Sequence, residues 1–123
     1  MKIPDPRTQS IVHEKVLTAN ELKYLKETFE VREWDATGVA TNKEMLTQIG
    51  ELWDFPSYYG QNWDAFVDCL SDLSWIPASR FAFVIRGHAK GEDWDTLLEC
   101  LEDVSARSRD RTKETGFVTV LIG

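Results

Sequence analysis

The sequence predicts an α/β fold in which helices pack a small three-stranded parallel sheet, and three observations predict it. Three short runs, Val31 to Ala36, Arg80 to Arg86 and Phe117 to Ile122, have the length and the Val, Ile, Phe and Trp content of strands. Long segments with apolar residues three and four apart separate them, and connections of that length join parallel strands by right-handed crossovers. The second and third runs are apolar almost throughout, the pattern of strands covered on both faces.

Each element follows from local chemistry. The first nine residues, with Pro4 and Pro6, read as an irregular arm, and Ser10 to Leu17 fits either a short strand or irregular packing. Thr18-Ala-Asn-Glu21 has capping-box spacing, and Leu22, Leu25 and Phe29 continue at helical spacing. The first strand follows, and Gly38 marks a turn. Thr41-Asn-Lys-Glu44 repeats the capping-box pattern. Met45, Leu46, Ile49, Leu52 and Trp53 then form one apolar stripe, in a helix that ends before Pro56 because the residue preceding a proline avoids helical backbone. Ser57 to Gln61 is a loop around Gly60, expected to hold a backbone conformation that a side chain disfavours. Asn62 suits an N-cap for a helix running to about Leu73. After the Phe81-Ala-Phe-Val-Ile85 strand core, Gly87 to Gly91 reads as a loop. Asp93 or its neighbours cap a helix with Trp94, Leu97, Leu98, Leu101 and Val104 inward. That helix fades through the basic stretch Arg107 to Lys113, and Gly116 precedes the last strand.

The chain has 123 residues, 42% of them hydrophobic, which suits one domain with a real core and excludes a disordered chain. With 21 acids against 14 bases its formal net charge is -7, which argues against a nucleic-acid or anionic-membrane binder and favours a basic partner. No apolar stretch approaches the roughly 20 residues of a membrane span, and the first residues have no apolar signal core, so a cytoplasmic protein is expected. Cys69 and Cys100 each sit in an apolar helical pattern, as buried reduced thiols do, although spacing alone leaves a disulfide open.

One segment departs from ordinary composition. Between Lys43 and Arg80 there is no lysine or arginine, yet Glu44, Glu51, Asp54, Asp64, Asp68 and Asp72 lie there among Trp53, Phe55, Tyr58, Tyr59, Trp63, Phe66 and Trp75. On a helical wheel Trp63, Phe66, Cys69, Leu70 and Leu73 share one side, while Asp64, Asp68 and Asp72 follow one another at four-residue intervals on the other. Each like-charged pair at that spacing costs about 0.2–0.5 kcal/mol. Asp64 is favoured by the helix dipole in the first turn; Asp68 has no such local gain, and Asp72 lies near the opposite, unfavourable end. A plain solvated face has this pattern, and so does a surface kept for a positive partner. Nucleic-acid-binding sites are positive, so a protein that plugs one carries such a surface. Of the adjacent tyrosines, one is expected against the core and the other beside the helix N-terminus.

The run Tyr58-Tyr59-Gly60-Gln61-Asn62-Trp63-Asp64-Ala65-Phe66-Val67-Asp68-Cys69-Leu70 resembles the signature segment of the barstar family of ribonuclease inhibitors. The resemblance extends over the element order from about Val31 to Gly123. It implies a barstar-like domain at 31–123 and an N-terminal extension at 1–30, an arm plus short helix packed on the core. It also implies that the acidic helix and preceding loop enter the active site of a barnase-like ribonuclease and mimic RNA phosphate, since a carboxylate can accept the charge-assisted bonds that bases give to phosphate. Carried over by position, Tyr58 and Asn62 correspond to contact residues before the helix, Asp64 and Asp68 are the helix aspartates, and Asp68 is the anchor; Gln61, between the two loop contacts, is a further candidate for partner binding. Val67 stands where the family has an aromatic contact. Trp75 resembles a later tryptophan contact displaced by one residue. Asp110 and Glu114 fall where the family has further acids, here interleaved with Arg107, Arg109, Arg111 and Lys113. The family's short helix after the middle strand has no clear counterpart between Gly87 and Asp93. The implied partner is a basic ribonuclease, with no direct nucleic-acid contact, no membrane, no cofactor and no metal, and the free protein is expected to be a monomer.

Two other classes of function compete. An enzyme site would fall best at Arg86-Gly87-His88-Ala89-Lys90-Gly91, after a buried strand, but that loop lacks phosphate-loop spacing. Asp64 and Asp68 alone make a weak cation site, and His13 and His88 stand apart from other ligands. Alternatively, the chain is an immunity protein against a different toxin nuclease, or a regulatory module that binds some other basic protein without inhibiting it.

Overall fold

A computed structural model describes residues 3–89, 93–109 and 116–123 of the chain. The elements run β1 (Ile11–Glu14), α1 (Ala19–Thr28), β2 (Glu30–Asp35), α2 (Asn42–Leu52), α3 (Trp63–Asp72), β3 (Arg80–Arg86), α4 (Asp93–Arg109) and β4 (Gly116–Ile122). The sheet has four strands in the order β1-β4-β3-β2, every neighbouring pair parallel, so the expected three-stranded sheet is corrected to four. The additional strand is β1, with Ile11 opposite Thr119 and Glu14 opposite Ile122. The physical reason lies in β4. Its residues are buried from Gly116 to Ile122, and an open edge on so apolar a strand would invite pairing with other chains. β1 covers that edge, and four residues containing a His and a Glu are too few to declare a strand by periodicity.

Both faces of the sheet are covered, as the apolar runs require. On one face Trp34, Phe81, Phe83, Ile85, Phe117 and Leu121 meet the stripes of α2, α3 and α4. On the other, Ala82, Val84, Val118, Val120 and Ile122 meet Leu17, Leu25 and Phe29 from α1 and its flanks. The alternation of β3 and β4 side chains between the two clusters is the period-two rule of a strand.

The N-terminal residues are docked rather than loose. Pro4 and Pro6 are buried, and a Cβ added at Gly116 would come within 2.6 Å of the Pro6 ring, so only glycine allows that approach. Thr119 donates its backbone N–H to the Ser10 carbonyl at 3.0 Å, and Ser105 Oγ donates to the Phe117 carbonyl at 2.8 Å, tying β4 to the residue before β1 and to α4.

The first capping box forms in full: Thr18 Oγ1 accepts from Glu21 N, and Glu21 Oε1 accepts from Thr18 N. The second forms only in half. Thr41 Oγ1 accepts from Glu44 N, but Glu44 Oε2 reaches one residue further back, to Ala40 N. α2 lacks a basic residue in its last turn, and Arg32 from β2 supplies one. Its Nη1 donates to the Leu52 carbonyl at 2.8 Å and meets Asp54 Oδ2 at 3.2 Å, while its guanidinium lies 5.6 Å from the Trp53 ring centre. α4 begins at Asp93; the residues that would cap it, 90–92, lie outside the described residues, as does 110–115, where the helix was expected to fade. Among the described residues no helix is long and apolar enough to cross a membrane.

Leu25 is fully buried beneath α1, so Leu25→Ala tests whether the N-terminal helix is part of the cooperative core. The expected loss in unfolding free energy is about 2–5 kcal/mol, read from urea denaturation. A much smaller loss would mean that α1 rests on the sheet without stabilising it.

Candidate protein-binding interface

Helix α3 and the loop before it are held by aromatic packing. Phe55 meets Tyr59 edge-on at 4.8 Å and also contacts Phe66 and Trp75, at 6.3 and 6.2 Å, while Trp63 meets Phe66 at 5.5 Å. Each such pair adds about 0.5–1.5 kcal/mol beyond area burial. Two hydrogen bonds fix the ends of this cluster: Tyr59 Oη donates to the Leu46 carbonyl, and Trp75 Nε1 donates to the Trp53 carbonyl at 2.9 Å. The apolar side of α3 is therefore pinned and its acidic side faces outward.

The loop carries Tyr58, 76% exposed, next to the half-buried Tyr59. One tyrosine thus belongs to the core and the other to the surface, as expected. Gly60 corrects an expectation: the left-handed residue of this turn is Gln61, at φ 50°, not the glycine. What Gly60 supplies is room, because a Cβ there would lie 3.1 Å from Asn62 Nδ2. Asn62 takes the N-cap, its Oδ1 accepting from Ala65 N at 2.8 Å.

Asp64, Asp68 and Asp72 are all exposed. Asp64 and Asp68 share a groove of about 400 Å³ between α3 and α4, lined also by Trp63, Val67, Cys100, Asp103 and Arg107. Val67 is 7% exposed and belongs to the core beneath the groove, and Trp75 is half-buried in the aromatic cluster. Asp72 lies beyond the groove, beside the smaller cavity of about 270 Å³ at the start of β3 and β4. The structure therefore brings Asp64, Val67 and Asp68 together and sets Tyr58, Gln61 and Asn62 on the turn leading into them. Asp110 and Glu114 lie outside the described residues.

Asp68 is not without local compensation, contrary to the reading of the helix alone. Arg107 from α4 donates Nη1 to Asp68 Oδ1 at 2.9 Å, with the two side chains 54% and 72% exposed. Nothing in the sequence pairs residues 39 apart, so this contact was illegible there. Asp103 and Arg107, four apart on one helix, were legible as neighbours, yet only the fold shows that they border the acidic helix.

Cys100 sits in this setting, and burial, then the charges of Asp103, Glu99 and Asp64, push its thiol up to about 11. Burial, with help from Asp68 and Asp72, also raises Cys69. Both thiols are free. Among the described residues no three His, Cys, Asp or Glu side chains converge as a metal site.

Comparison with known families finds that residues 29–121 match the barstar (barnase inhibitor) family. The chain belongs to the barstar family, and the residues before 29 lie outside the matched range. No curated protein and no solved structure matches the chain.

Two outcomes follow. Asn62→Ala is expected to cost about 1 kcal/mol in urea denaturation through the lost cap. Cys100 gives a pH dependence: its folded pKa lies above the unfolded value of about 8.5, so the stability it contributes is intact below about pH 8.5 and is lost as the pH climbs toward 11. In a Cys69→Ser background, iodoacetamide labelling of Cys100 should be slow at pH 8 and rise steeply only toward pH 11; rapid labelling at pH 8 would contradict that environment.

Proposed function

We propose that this chain is a protein inhibitor of a barnase-type ribonuclease, and that α3 and the turn before it block the nuclease active site. One observation carries the reading: a helix whose outward face bears Asp64 and Asp68 is locked in place by aromatic packing and an Asn62 cap. A rigid carboxylate array is what phosphate mimicry needs, because each carboxylate can accept the charge-assisted bonds that a cationic nuclease site gives to RNA. Membership of the barstar family supports the same partner class.

In this reading Asp68 is the anchor and Asp64 its neighbour. Tyr58, Gln61 and Asn62 supply the contacts of the turn. Val67 and Trp75 act from beneath, by setting the helix and its exit. The protein works by occlusion, without catalysis or a cofactor. It does so as a monomer in the cytoplasm, where it protects the cell's own RNA.

A second reading, immunity against a different toxin ribonuclease, draws on Val67, which is buried at the position where the resemblance implies an aromatic contact. The two readings share a site and differ in the nuclease.

The test is calorimetric titration into a barnase-type ribonuclease, with RNA cleavage read in parallel. The expected result is one-to-one binding that stops cleavage and is weakened far more by Asp68→Ala than by Asp72→Ala. Neither substitution should change the urea midpoint appreciably, since exposed charges contribute about 0–1 kcal/mol. Association should slow as salt rises, because the charges that steer encounter are screened within about 10 Å at 0.1 M. Equal effects at Asp68 and Asp72 would remove Asp68 as the anchor.

A further inference from the structure

We infer that Arg107 is a built-in mask on Asp68: in the free protein it occupies the carboxylate that a basic partner must take, and binding requires its displacement. The inference rests on the reading of α3 as the docking face for a cationic partner.

The geometry supplies three reasons. Arg107 reaches Asp68 from a different helix, its Nη1 at 2.9 Å from Asp68 Oδ1. The pair is exposed on both sides, so it is held weakly and can exchange. A partner that brings its own guanidinium or ammonium to Asp68 would place two cations on one carboxylate in a water-excluded interface, where like-charge repulsion is strongest. Arg107 must therefore leave when such a partner arrives.

It has somewhere to go. Asp103 lies one turn back on α4, at the i, i+4 spacing favoured for helix ion pairs, and lines the same groove. Among the described residues Asp103 makes no ion pair of its own. A rotation of the Arg107 side chain exchanges one carboxylate for the other without exposing an unpaired cation to the partner. The mask thereby sets specificity. A single lysine on an unrelated protein gains little by competing with Arg107, whereas a site with several converging cations, as a phosphate-binding site has, engages Asp64 and Asp68 together and displaces it.

The test uses the whole protein and hexa-arginine as a cationic probe, titrated calorimetrically at low ionic strength. Arg107→Ala should bind the probe about three- to five-fold tighter than the unsubstituted protein, the scale of an exposed ion pair. Lys23→Ala, on α1 across the sheet, makes the same charge change and should give a much smaller gain. In an Asp68→Asn background, Arg107→Ala should gain no more than Lys23→Ala does. Equal gains from Arg107→Ala and Lys23→Ala, a gain that survives Asp68→Asn, or weaker binding by Arg107→Ala would each overturn the mask. A parallel titration with a barnase-type ribonuclease separates the two ideas. If neither protein binds the nuclease while the Asp68-dependent gain toward hexa-arginine persists, the ribonuclease reading falls and the mask stands.

Discussion

Trp53 is the contact on which the geometry of the acidic helix depends. Its fully buried indole meets Phe81, Phe83 and Phe117 at centroid distances of 6.0, 5.7 and 5.5 Å, so one side chain joins the end of α2 to both central strands. Its backbone carbonyl accepts from Trp75, which fixes the chain leaving α3, and Arg32 lies over its ring while closing the end of α2. The indole Nε1 finds no hydrogen-bond partner among the described residues. A buried donor left that way costs about 1–3 kcal/mol, and the aromatic contacts around it offset the loss. The acidic helix is set by the same packing that makes the core.

This arrangement explains how an acidic segment can exist without internal bases. The apolar side of α3 is bound so firmly that the small repulsion among its aspartates does not decide whether it is helical. Compensation comes from elsewhere in the fold: Arg32 meets Asp54, and Arg107 meets Asp68. Each of those arginines lies outside the 44–79 stretch, so the sequence there looks more unbalanced than the surface is. The carboxylate array remains accessible because the bases that attend it arrive on side chains that water still reaches.

The sequence was most informative where one local rule governed the outcome. The β3 run, the stripe of α3 and the Asn62 cap are local patterns, and they read correctly. The stretch from Ser10 to Leu17 stayed open between a short strand and irregular packing, because Ile11 to Glu14 becomes a strand through the unpaired edge of β4 more than a hundred residues away. Gly60 misled for a related reason: the turn needed space at the glycine and a left-handed backbone at Gln61, and composition assigns both demands to the glycine. The surface of α3 was legible as a wheel of aspartates, while the groove that Asp64 and Asp68 share with α4 was not, since Cys100, Asp103 and Arg107 enter it only through tertiary packing.

The strand order also carries a kinetic consequence. β4 lies between β1 and β3, so β1 has no partner until β4 has been placed, and the contact of Ile11 with Thr119 closes a loop of more than a hundred residues. Closing a loop that long is entropically unfavourable before it is rewarded. The β2-β3 pair and the helices between them can assemble first, while β1 must dock late. The acidic face of α3, carried by the middle of the chain, would be in place before the edge of the sheet is sealed.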